Sequence, residues 1–79
     1  MKTLLVDNGS LEPAATLALR AVATEFSVTM GRRIEPVSLL HSHKVSKDKL
    51  GGVSAEIVEN YLRRELAAGV SKFTIVPLF

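Results

Sequence analysis

The chain has 79 residues, 47% of them apolar, with ten Lys and Arg against eight Asp and Glu for a formal charge of +2. That length holds one small domain, and the apolar content excludes a disordered or collagen-like chain. The absence of Cys excludes disulfides, thiolate zinc sites and a cysteine nucleophile, which fits a cytoplasmic protein.

No stretch approaches the ~18 consecutive apolar residues of a membrane span, so no membrane role is expected. Only Phe26, Tyr61, Phe73 and Phe79 are aromatic, and they are not interleaved with basic residues as a nucleic-acid stacking surface requires. A domain this small buries only about 60% of its unfolded surface, so a partner surface would help it.

Thr3-Leu4-Leu5-Val6 is a continuous apolar run stopped by the turn formers Asp7-Asn8-Gly9-Ser10, and it reads as a strand buried on both faces. Pro13 to Met30 repeats apolar residues at Ala15, Leu19, Val22 and Phe26, one face of a helix that Gly31 ends. Ser10 is the expected N-cap, with Pro13 in the first turn, where its missing N–H costs nothing. Ile34 to Leu40 reads as a second strand, and Pro36 suits an edge because it cannot donate to a ladder. A polar loop, His41 to Gly52, leads to a helix from about Ser54 to Ala68 with Val58, Tyr61 and Leu62 on its apolar face. Lys72 to Phe79 is the third strand.

This alternation predicts an α/β fold: a three-layer parallel sheet of strand order 2-1-3, with right-handed crossovers and helices covering it. It corresponds to half of a flavodoxin-like domain. Residues 1–79 are expected to form one domain that lacks a C-terminal strand and helix, or one that pairs its apolar third strand in a homo-oligomer.

In such sheets ligands bind beyond the carboxyl ends of the strands. Asp7, Asn8, Gly9 and Ser10 there follow a strand and open a helix, so their backbone could hold an anion; equally, Gly9 makes the turn and Ser10 caps the helix. The loop lacks G-x-G-x-x-G, G-x-x-x-x-G-K and G-x-S-x-G, which argues against dinucleotide, mononucleotide and hydrolase chemistry. His41 and His43, two apart, would share a face on a strand continuation and form a candidate transition-metal pair, completed by a carboxylate such as Asp7; solvent exposure of both is the alternative. Lys44, with Lys47 and Lys49, makes a basic loop that would draw in a polycarboxylate or phosphate.

The first strand running into Asp7-Asn8-Gly9-Ser10 and Pro13, the second ending Ser38-Leu39-Leu40, and Ala67-Ala68-Gly69-Val70 leading to Phe73-Thr74-Ile75-Val76-Pro77-Leu78-Phe79 resemble the CbiX-type sirohydrochlorin cobaltochelatases, which are class II chelatases. The similarity spans nearly the whole chain, and the Val-Pro-Leu-Phe close is its most specific part. The resemblance implies a divalent metal, cobalt or iron, as substrate, a carboxylate-rich tetrapyrrole as its acceptor, and no organic cofactor. Where that family reads Gly-His-Gly-Ser, with a histidine that ligates metal and takes a proton, this chain has Asp7-Asn8-Gly9-Ser10, and an amide does neither well. The family's second histidine follows the Pro-Leu-Phe strand and has no counterpart up to Phe79. Asp7 and Asn8 are then the residues at the catalytic position, and a binding module without turnover is the alternative. An unrelated flavodoxin-like regulatory domain is a further alternative, although a phosphoacceptor receiver would need an aspartate where the third strand ends in Val76-Pro77-Leu78-Phe79.

Overall fold

The computed structural model describes residues 1–79. Strand β1 (Lys2–Asp7) is followed by helix α1 (Pro13–Met30), strand β2 (Ile34–Ser38), helix α2 (Val58–Ala67) and strand β3 (Phe73–Pro77). The sheet is parallel throughout in the order β2-β1-β3, as the alternation of elements predicts.

Alternation along β1 divides the core into two layers. Leu4 and Val6 pack with Val37 and Tyr61 under α2, while Leu5 packs with Leu19, Ala23 and Ile34 under α1. One helix therefore covers each face, and the central strand is apolar on both because neither side meets water. Leu4, Leu5 and Val6 are all within 1% of complete burial, each contributing about 1.5–3 kcal/mol of transfer free energy. No helix is long and apolar enough to cross a membrane.

Helix α1 buries Thr16, Leu19 and Ala23, with Ala15 and Val22 half-buried, but Phe26 is 40% exposed. Phe26 hangs over β3, where with Met30, Thr74 and Val76 it lines an open groove of about 250 Å³. Phe26 continues the predicted apolar face of α1 but stays partly exposed because α1 leans toward β2. The expected Ser10 cap is also displaced. Glu12 occupies the N-cap without a side-chain bond, and the Ser10 hydroxyl instead accepts the Glu12 N–H at 3.0 Å. At the other end Gly31 adopts φ +66, and both it and Arg32 donate to the Ser27 carbonyl, a helix stop that only a left-handed residue makes without strain.

The bounds of β2 and α2 and the form of the polar loop differ from the sequence reading, and β3 spans Phe73–Pro77 rather than Lys72 to Phe79. β2 ends at Ser38, although the Leu39 and Leu40 N–H groups still reach the carbonyls of Asp7 and Asn8. α2 begins at Val58 rather than near Ser54, because residues 53–57 run extended beside β2, where Ile57 bridges Ser38 and the Ser38 N–H donates to Glu56. The polar loop contains two 3-10 turns, Ser42–Lys44 and Lys47–Leu50, and sinks Val45 and Leu50 into the core. Arg20 fastens this loop to α1 by donating to the carbonyls of Leu50 at 2.8 Å and Val53 at 2.7 Å.

β2 is an edge strand, and its outward donors are all accounted for. Residues 34, 36 and 38 point their nitrogens away from β1. The Ile34 N–H donates to Ser27 Oγ at 2.9 Å, Pro36 has none, and the Ser38 N–H goes to Glu56. Ser27 Oγ in turn donates to the Ala23 carbonyl at 2.7 Å, so one hydroxyl joins α1 to the sheet.

Ser27→Ala orphans the Ile34 N–H and is expected to cost about 1–3 kcal/mol in urea unfolding. Thr24→Ala, which removes only an exposed bond to the helix's own carbonyl, is expected to stay within about 0.5 kcal/mol. Tyr61 gives a second expectation. Burial, helped by the carboxylates of Glu35 and Glu65 and opposed by Arg64, raises its phenol from 10.0 to about 12. The folded state thus holds a proton that the unfolded chain releases earlier, so stability is complete below pH 10 and falls as pH rises toward 12. Phenolate absorbance titration should show the late midpoint, and Tyr61→Phe should remove the alkaline loss.

Candidate functional site

The carboxyl ends of the three strands bring together the β1–α1 turn and the chain leaving β2. Asp7 and Ser38 are register partners at the ends of β1 and β2, and the Ser38 hydroxyl donates to Asp7 Oδ1 at 2.5 Å. Ser38 is 3% exposed, so this bond fixes the Asp7 carboxylate at the lip of the sheet with its second oxygen left for another partner.

Gly9 sits at φ +92 with its α-carbon pressed on the second loop. A Cβ placed there would lie 1.7 Å from the Leu40 carbonyl oxygen, which no side chain can tolerate. The same carbonyl accepts the Ser42 N–H at 2.9 Å, closing a three-residue γ-turn around His41. His41 accordingly has φ 74 and ψ −39, the only non-glycine residue with positive φ. Such a conformation stores roughly 1–3 kcal/mol of strain, and here it stands at the ligand-binding edge of a parallel sheet.

Ser42 is completely buried and its hydroxyl has no partner, whereas His41, His43 and Lys44 are exposed. His41 is the centre of the γ-turn and His43 lies in the first 3-10 turn, so the chain does not continue β2 as a strand and alternation does not align the two. No three His, Asp or Glu side chains come close enough to form a metal cluster. Asp7, Asn8, Gly9 and Ser10 do share the edge with the His41–Lys44 loop, joined through Leu40. Asn8 contributes its backbone carbonyl, which accepts the Leu40 N–H at 3.2 Å.

Ser38 and the Leu40 carbonyl are site elements that residue types alone did not single out. The signal for Ser38 is register: a parallel pairing that starts Thr3 opposite Ile34 necessarily ends with Asp7 opposite Ser38. A comparison of the chain with family models, curated proteins and solved structures finds no match.

Gly9→Ala forces the two loops apart. It is expected to lower stability by at least about 2 kcal/mol, more than Gly31→Ala, which meets open space and bears only the cost of a left-handed residue, about 1 kcal/mol. Chemical denaturation of the two variants beside the parent chain makes the comparison.

Proposed function

We propose that the chain is a CbiX-like, cytoplasmic protein of tetrapyrrole biosynthesis, in the cobalamin or siroheme branch, that holds a divalent metal for sirohydrochlorin at the carboxyl edge of its sheet and works as a homo-oligomer through β3. The observation that carries the reading is the Asp7 carboxylate, fixed by Ser38 beside the strained His41 turn at the position where α/β sheets bind ligands.

Metal insertion needs a held metal, a base for the two pyrrole protons, and an oriented macrocycle. In this reading the metal is substrate. Asp7 is the only carboxylate in the run Asp7–Ser10 and serves as ligand or base, while Lys44 meets the carboxylates of the ring by charge attraction. His41 and His43 extend from the neighbouring loop as additional nitrogen donors.

A second reading, binding of a metal or anion without turnover, is favoured by a specific feature. Asn8 offers an amide where a chelatase would use an imidazole, and no three ligating side chains converge.

Mixing the protein with sirohydrochlorin and cobalt and following the absorbance change tests both. A rate above the uncatalysed background supports insertion. A background rate with calorimetric cobalt binding that weakens in His41→Ala or His43→Ala supports the binding module, and absence of both rate and binding overturns the assignment. Asn8→His places an imidazole on the turn and is expected to tighten cobalt binding at least about tenfold.

A further inference from the structure

Between α1 and the extended residues 53–56 runs a groove of about 500 Å³, floored by β2 and within the roughly 300–1,000 Å³ range of small-molecule sites. Its helical wall includes one line of side chains, Thr16, Arg20, Ala23 and Ser27, at spacings of four, three and four. At 1.5 Å per residue that line is about 16 Å long.

Two residues of the line have hydrogen-bonding capacity to spare. Ser27 donates to the carbonyl four residues back, as its neighbour Thr24 does. Thr16 is only 5% exposed, yet it makes no such bond and lines the groove with its hydroxyl unpartnered. Arg20 donates one N–H from each terminal nitrogen to the Leu50 and Val53 carbonyls; two of the guanidinium's five N–H groups are used, so three remain. Arg20 is also the one charge of the groove without a counter-ion. Arg33 pairs with Glu35 at 2.8 Å, and the Glu56 carboxylate is taken by Arg64 of α2. The two carbonyls that clamp Arg20 carry no formal charge, so one net positive charge stays on the wall, half-buried and held in place. Leu19, Ala23, Val28 and Ile34 set apolar surface beside it.

We infer that this groove binds a small monocarboxylic acid, with its carboxylate on the Arg20 guanidinium and the Thr16 hydroxyl and its apolar body along Ala23 and Val28. One negative charge meets one free positive charge, and the planar carboxylate accepts paired N–H donors from a planar fork. A phosphate monoester carries about −1.5 to −2 at neutral pH and would set surplus negative charge beside Glu35 and Glu56. Because the loop carbonyls already orient the guanidinium, binding immobilises little that is not already fixed. Ser38 closes one end of the groove, but the site uses neither Asp7 nor the histidines, so it stands independently of the metal-holding edge.

Titration of the intact chain with hexanoate, followed by amide NMR, tests the inference, with acetate and inorganic phosphate as comparison probes. Hexanoate should bind with a Kd of about 1 mM or tighter, at least about fivefold more tightly than acetate or phosphate. Resonances of residues 16–28 and 53–56 should shift while those of residues 7–10 and 41–44 stay in place. Arg20→Lys keeps the charge but loses the fork, and should weaken binding at least about tenfold. Arg20 also anchors the loop, so Thr16→Val supplies the check at a hydroxyl that holds nothing else: binding should weaken about fivefold with circular dichroism unchanged. No shifts at roughly 10 mM hexanoate, shifts centred outside the groove, or an affinity that both variants leave unchanged overturns the inference. Tighter binding of phosphate than of hexanoate overturns the carboxylate assignment.

Discussion

The contact of Gly9 with the Leu40 carbonyl is the constraint on which the functional edge depends. Two crossover loops that leave neighbouring strands would otherwise diverge, one into α1 and the other into a long connection to α2. Because Gly9 has no side chain, the first loop settles on the carbonyl of the second, and that carbonyl is already committed to the γ-turn that lifts His41. The Asp7–Ser38 bond lies one step further into the sheet and fixes the Asp7 carboxylate at its lip. Backbone strain, a part-buried hydroxyl–carboxylate bond and a glycine-only approach thus meet within a few residues. Structure that costs stability in this way tends to persist where ligands bind.

Backbone accounting explains the rest of the architecture. β1 is saturated, its N–H and C=O groups shared between two parallel neighbours and its side chains sealed by a helix on each face. β2 ends its side of the sheet with three devices: the Ser27 hydroxyl, the ring of Pro36 and the extended segment through Glu56. β3 has only Pro77, at its far end.

Much of the fold was legible in the sequence because its strongest signals are the ones burial imposes. An uninterrupted apolar run at Thr3–Val6 can only be a strand covered on both faces, and the alternation of elements then dictates parallel pairing and order. Pro36 marked its strand as an edge for a reason the structure bears out. The misreadings came where tertiary contacts overrode local pattern. Phe26 continues the apolar period of α1 but reaches past the helix's contact with the sheet. Residues 54–57 have helical neighbours but are drawn out straight by the bridge to Ser38. Val45 and Leu50 sit in a polar stretch whose composition hides that two of its residues are core.

The site was legible as a location more than as a geometry. Turn formers after β1 marked the edge, and the loop beginning His41-Ser42-His43-Lys44 supplied chemistry, but neither foretold that a γ-turn would replace strand continuation. Pairing of Asp7 with Ser38 followed from register, which residue types alone do not supply. The most direct test of the account is amide-resolved NMR during titration with cobalt(II), whose paramagnetism broadens only nearby signals. Selective loss of resonances from residues 7–10 and 41–44 is the predicted result. Broadening centred elsewhere, or none at cobalt concentrations that saturate a histidine pair, would contradict a metal-holding role for this edge.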